Sequence, residues 1–240
     1  MQKEEPKQTA TRLVKQRFPH CRVAMLAGSV VRGDATVHSD LDIVIVDDTI
    51  PNPYRESLIF KDWMIEFFVH TSKSYVDFFV SDCKRGRPSL PQMCAEGKII
   101  KDDGIATRIK EEANHLLKQG PKSWSIDELN RKRYIITDLL LDLEGSTNRA
   151  EDLFIVNSLA AITHEFVLRT NNQWIGGAKW IVRALANYDQ ELCHEFVQVC
   201  EQFYQHGNKQ PFITFVDRVL EPYGGRLFDG FSMGKESNED

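Results

Sequence analysis

The feature that most limits what this chain can fold into is a change of character at Gly120-Pro121. Upstream, short apolar runs of strand length alternate with helical patterns. Downstream, five helical patterns follow one another over residues 126–144, 149–170, 177–187, 189–206 and 211–221, and no alternation of period two interrupts them. One sheet cannot run through such a chain. The expectation is an α+β protein: a mixed sheet with flanking helices over residues 1–120, then an all-α helical bundle over residues 121–240.

Within the first part, Ala10, Leu13, Val14 and Phe18 recur at helical spacing over residues 5–18, and Pro19 ends that helix. Residues 22–27 read as a strand, Gly28-Ser29 as a tight turn into a short helix, and residues 40–46 as a second strand. Pro51 and Pro53 break the chain after it, and residues 63–69 form a third strand. Ser72 is the expected N-cap of a helix through Tyr75, Phe78 and Phe79, stopped by Arg85-Gly86-Arg87-Pro88. Residues 98–101 read as a short strand and Asp102-Asp103-Gly104 as a turn. Beyond the boundary, Ser125-Ile126-Asp127-Glu128 is a capping pattern. There is no internal repeat, and the polar tail SMGKESNED is expected to be disordered.

Composition narrows the function classes. A chain of 240 residues buries roughly 70% of its unfolded surface and needs no staple. Its five cysteines (Cys21, Cys83, Cys94, Cys193, Cys200) are scattered, with no Cys-x-x-Cys pair and no zinc spacing, which points to a reduced, cytoplasmic protein. The start MQKEEPKQTATRLVKQ has no apolar h-region, and no stretch approaches the roughly 18 apolar residues of a membrane span. A net charge of −5 argues against a duplex-binding surface, which needs clustered Lys and Arg. It is compatible with a cationic small-molecule substrate.

Two carboxylates, Asp40 and Asp42, stand at i and i+2 where the second strand begins. Strand alternation turns both to one side while Leu41 enters the core. Like charges this close repel unless a cation lies between them. Hard dications such as Mg²⁺ take carboxylate oxygens and share their shell with substrate phosphates, so the pair is a half-site for metal-assisted phosphoryl or nucleotidyl transfer. Gly28 lets a phosphate approach the backbone. Ser29 offers a hydroxyl and an N–H at a helix start, and Arg32, one turn on, can neutralise a phosphate. Glu66 is a lone charge inside the apolar run Trp63-Met64-Ile65-Glu66-Phe67-Phe68. Unless it faces water it needs a partner, and a metal would be one.

In order and spacing, Leu26-Ala27-Gly28-Ser29, then Arg32-Gly33, then Ser39-Asp40-Leu41-Asp42-Ile43 resembles the signature of the DNA polymerase β-like nucleotidyltransferase superfamily. Residues 22–70 are similar to the small bacterial members, including aminoglycoside-modifying adenylyltransferases. The resemblance implies a Mg²⁺-dependent adenylyltransferase. Residues 1–120 would be its catalytic domain and residues 121–240 a helical domain that binds the acceptor. ATP would be the substrate, with two Mg²⁺ ions held by Asp40 and Asp42. Gly28, Ser29, Arg32 and Ser39 would position the triphosphate. Glu66 would be the third carboxylate, as metal ligand or as general base. Ile175-Gly176-Gly177-Ala178-Lys179-Trp180 is similar to a Lys-bearing helix start in streptomycin-type adenylyltransferases, which would bring Lys179 to the triphosphate.

The acceptor implied is a hydroxyl of a small molecule, aminoglycoside-like by family and architecture. Asp138 and Asp142, at i and i+4 on one helix face, and Asp152 near the next helix start are candidates to hold a cationic acceptor or to act as base. Trp174, Trp180, Phe196, Phe203, Tyr204, Phe212 and Phe215 read as core rather than as a stacking platform, and His164 and His194 receive no role. Two rival readings stand beside the enzyme. One is a nucleotide-binding regulator, or a toxin–antitoxin type of protein that modifies or binds a protein partner. The other is a nucleic-acid end modifier, against which the net acidity and the lack of a basic, aromatic-laced stretch argue. The base preference and the oligomeric state stay open.

Overall fold

The computed structural model describes residues 4–234. The expectation for the polar tail past Gly234 lies outside the described residues. Two compact units divide at the Gly120/Pro121 step.

The first unit opens with helix α1 (Pro6–Arg17). Pro6 sits in its first turn, where a missing N–H costs nothing, and the Glu5 side chain accepts from the Gln8 N–H at 2.7 Å. A sheet follows, of strands β1 (Val23–Ala27), β2 (Leu41–Val46), β3 (Tyr54–Phe60), β4 (Trp63–His70) and β5 (Lys98–Asp102), in spatial order β3-β4-β2-β1-β5. β2 pairs antiparallel with β1 and parallel with β4; β3 and β5 form the edges. All five residues of β1 are buried, as a central strand covered on both faces requires. On one face α1 packs Leu13 and Val14, with Phe18 that caps it, against Leu26, Ile43, Ile65 and Phe67. On the other, α3 (Ser74–Lys84), α4 (Ser89–Glu96) and α5 (Ala106–Gln119) set Tyr75, Phe79, Leu90 and Ile109 on Val23, Met25, Val44 and Val46.

The structure departs from the sequence expectation at three places in this unit. β3 was not anticipated: its half-buried side carries Glu56 beside Leu58 and Phe60, which blurs the alternation. Its hairpin turns on Lys61 and Asp62, both at positive φ (48° and 65°), without the Asn-Gly or Asp-Gly pair that usually marks such a turn. The helix after β4 starts at Ser74, so Ser72 is not its N-cap. Thr71 and Ser74 cap it by exchanging side-chain-to-backbone hydrogen bonds of 2.8 and 3.0 Å, and Ser72 donates to Asp48 instead. Finally, α4 and α5 follow where only a stop and a turn were read; Asp102 Oδ1 accepts from the N–H groups of Gly104, Ile105 and Ala106 and so opens α5.

The second unit contains α6 (Ile126–Gly145), α7 (Arg149–Thr170), α8 (Trp180–Tyr188), α9 (Gln190–His206) and α10 (Gln210–Leu220). Ser125 and Glu128 form a reciprocal capping box at the start of α6. One core joins Ile136, Leu140, Phe166, Leu185, Phe196, Phe203, Phe212 and Phe215. Of the aromatics expected in the core, Trp180 and Tyr204 are exposed and Trp174 is half-buried. The helix expected from residue 177 begins at Trp180, because Gly177 to Trp180 form a turn, closed by the Trp180 N–H on the Gly177 carbonyl at 3.0 Å, with Ala178 at φ 48°. No helix among the described residues is long and apolar enough to cross a membrane.

Candidate active site

Strand register builds the site. In the parallel pair β2–β4, Asp42 lies beside Glu66, and in the antiparallel pair β1–β2 it lies opposite Ala27, the residue before Gly28. Side chains alternate, so Asp42 and Glu66 share the face covered farther along by α3–α5 at Val44 and Val46. Both carboxylates are only half-buried. Asp40 precedes β2 and is also half-buried, while Leu41 between them is fully buried against the α1 side. Asp40, Asp42 and Glu66 each bring a carboxylate oxygen to within 4.8 Å of the others.

The local chain is shaped for this. Gly28 has φ +78°, and a Cβ there would stand 2.0 Å from Asp42 Oδ2. Only glycine permits both the backbone and the close approach of the acid. The chain then turns through α2 (Ser29–Arg32). Ser39 closes a turn of its own, accepting the Thr36 N–H at 2.8 Å.

Electrostatically the cluster is over-supplied with negative charge. Burial, then Asp40, then Glu66 push the Asp42 carboxyl up from 3.8 to about 6, against the opposing pull of Arg32 and Arg55. A carboxylate raised in this way is one whose charged form lacks a counter-charge, which a bound divalent cation would supply. The donor set fits Mg²⁺ in kind, being all carboxylate oxygen.

Two side chains at the site were not found from the sequence. Arg55, on β3, forms an ion pair with Glu66 and lies 4.7 Å over the Phe68 ring. Glu96, at the end of α4, accepts from the Arg32 guanidinium at 2.5 Å and from the Gly28 N–H at 3.2 Å. The elements that carry them were themselves missed, and a lone Arg or Glu has no signal of its own without its strand or helix.

The remaining candidates lie in the second unit. Lys179 is the exposed N-cap of α8. Asp138 and Asp142 are exposed on α6, and Asp142 lines an open depression with Leu141, Glu151 and Phe154. Asp152 is buried and paired with Lys209 at 2.8 Å. Burial would raise its carboxyl, but Lys209 and the Ser146 hydroxyl outweigh that and hold it below its ordinary value. His164, given no role from sequence, is buried and donates from Nε2 to the Gly176 carbonyl at 3.2 Å, tethering the turn before Lys179.

No protein-family model matches the chain, and no curated protein sequence matches it. Among solved structures it is similar to a nucleotidyltransferase-like protein from Exiguobacterium sibiricum 255-15, with a TM-score of 0.49 and 9% identity over 91% of this chain and 75% of that one.

Proposed function

We propose that the protein is a Mg²⁺-dependent nucleotidyltransferase that moves a nucleoside monophosphate, AMP from ATP, to a hydroxyl of a small molecule. The observation that carries this reading is the convergence of Asp40, Asp42 and Glu66 on one spot beside the Gly28 bend. Supporting it is the motif that joins Gly28-Ser29 to Asp40-Leu41-Asp42 in the sequence.

In this reading Asp40 and Asp42 hold two Mg²⁺ ions, which when bound supply charge neutralisation on the triphosphate and activation of the attacking oxygen. The Gly28 N–H, Ser29 and Ser39 orient the phosphates, and Arg32 offsets their charge. The acceptor oxygen attacks the α-phosphorus and pyrophosphate leaves. Glu66, with Arg55 fixing its carboxylate, either completes the ligand set or takes the acceptor's hydroxyl proton. The rate would come from holding these partners in line. Lys179 is assigned to the triphosphate by the resemblance of its segment alone, and the aminoglycoside-like acceptor by family and architecture. Five free cysteines suit a cytoplasmic setting.

Calorimetry with ATP, with and without Mg²⁺, followed by pyrophosphate release across a panel of hydroxylated acceptors, tests the proposal. Mg²⁺-dependent binding and acceptor-dependent release are expected. ATP bound without release under any acceptor would favour the regulator, and no binding of ATP in Mg²⁺ would refute a nucleotide site.

A further inference from the structure

Resting on the nucleotidyltransferase reading, we propose that Glu96 is an internal occupant of the triphosphate's seat, which the nucleotide must displace in order to bind. One oxygen of Glu96, Oε1, takes both the Arg32 guanidinium at 2.5 Å and the Gly28 N–H at 3.2 Å. These are two of the groups assigned to the phosphates, and a phosphate oxygen would present them with the same acceptor chemistry. The mimic is built, not incidental. The Glu96 side chain is only 13% exposed. The helix that bears it is clamped from behind, where the Lys110 ammonium donates to the carbonyls of Cys94, Ala95 and Gly97 at 3.1, 2.7 and 2.7 Å. Gln92, one turn back on α4, donates to the other Glu96 oxygen at 3.2 Å. With α4 fixed, the carboxylate alone has to turn aside.

The consequence is selectivity. A free anion must compete with Glu96 and approach three further carboxylates. A metal-chelated triphosphate gains from Asp40, Asp42 and Glu66 and can displace it. The gate weakens apparent affinity by the fraction of time the seat stands open. Should that be about one part in ten, neutralising Glu96 tightens binding about tenfold.

The test measures Kd for Mg·ATP, and for inorganic tripolyphosphate without metal, by calorimetry on wild type, Glu96→Gln and Glu96→Ala, with melting temperatures alongside. Gln keeps the length of the side chain, and Ala removes the competing oxygen altogether, so either folded variant decides. Expected are Mg·ATP binding about tenfold tighter in the variants and tripolyphosphate binding that wild type lacks. Unchanged or weaker Mg·ATP binding in a folded variant would overturn the gate and make Glu96 a support for Arg32. Should wild type and variants alike fail to bind Mg·ATP, the nucleotide reading itself falls, and this inference with it.

Discussion

Asp42 and Asp152, one in each unit, are both withdrawn from water, yet their carboxyls move in opposite directions. Asp42 is raised to about 6 by burial and by the neighbouring acids Asp40 and Glu66. Asp152 is lowered, because Lys209 and Ser146 overcome its burial. Other acids of the second unit also have a cation at hand: Glu144 and Asp217 both bind Arg226, and Glu165 binds Lys132. Each of these four carboxylates has a cation supplied by the fold and serves to join helices. In the first unit Arg32 and Arg55 are shared among Asp34, Glu66 and Glu96, and Asp42 carries the imbalance. In the proposed reading a cation from outside makes up that deficit, which would separate an acid that holds structure from one that takes a ligand.

The largest test of this contrast is Asp42→Asn. Transfer is expected to fall at least about a thousandfold, some 4 kcal/mol, since the proposed metal site would lose a ligand. Stability at pH 7 is expected to rise by about 2 kcal/mol, after discounting for partial exposure. Denaturant melts and pyrophosphate release measure both. A variant that turns over normally removes Asp42 from the chemistry, and one that is less stable removes the repulsion.

Lys209→Met probes the opposite case. Lys209 donates to the carbonyls of Leu143 and Ser146 at 3.0 and 2.7 Å as well as pairing with Asp152, so it ties α10 to the α6–α7 corner. Removing it leaves a buried acid without its cation, at a cost of about 3 kcal/mol. Adding Asp152→Asn should recover part of that loss. Equal stability of wild type and Lys209→Met would mean that Asp152 is no better compensated than Asp42.

The two acids also differ in the sign of their pH dependence. Asp42 ordinarily titrates at 3.8 and in the folded chain at about 6, so between those values the folded state binds a proton that the unfolded state does not. Its contribution is full below about pH 4 and is lost as pH rises through 6, by about 2 kcal/mol. Asp152, being lowered, contributes above its ordinary value and loses that contribution as pH falls. Melts from pH 4 to 7.5 should therefore show a component favouring acid that disappears in Asp42→Asn and persists in Lys209→Met. Mg²⁺ competes with that proton, so its stabilising effect should be present at pH 7.5 and shrink toward pH 5.

Much of the acidic cluster and its glycine bend was legible in the sequence, because most of it is contiguous. Gly28, Asp40 and Asp42 fall within fifteen residues, and strand alternation alone turns Leu41 inward. Glu66 was legible as a charge in an apolar strand, its nearness to Asp42 only as a parallel register. What the sequence hid depends on contacts over long separations. Arg55 needed β3, whose hairpin turns on Lys61 and Asp62 with no glycine to announce it. Glu96 reaches Gly28 across 68 positions. The helices of the second unit were legible because their apolar positions repeat every three or four residues, whereas the late start of α8 was hidden: Gly176 lies so close to Trp180 that a Cβ would meet its carbonyl oxygen at 2.1 Å.

That turn gives the smallest and most discriminating prediction. A helix start that served only to begin α8 would not need Ala178 at φ 48°, a conformation that costs a non-glycine residue about 1 kcal/mol. Nor would it need His164 buried beneath it, holding the Gly176 carbonyl. The side chain that follows Ala178, Lys179, is the one that the proposal brings to the triphosphate. Lysine binds phosphate as a point charge on a flexible stem, so its loss should be modest. Lys179→Ala is expected to weaken Mg·ATP binding about fivefold with an unchanged melting temperature. His164→Ala, which loosens the turn and leaves the charge, should weaken it less while lowering stability. Unaltered affinity in Lys179→Ala would leave the proposed nucleotide recognition wholly to the first unit, with the ion pairs of Asp152, Glu144, Asp217 and Glu165 left as supports for the helices of the second.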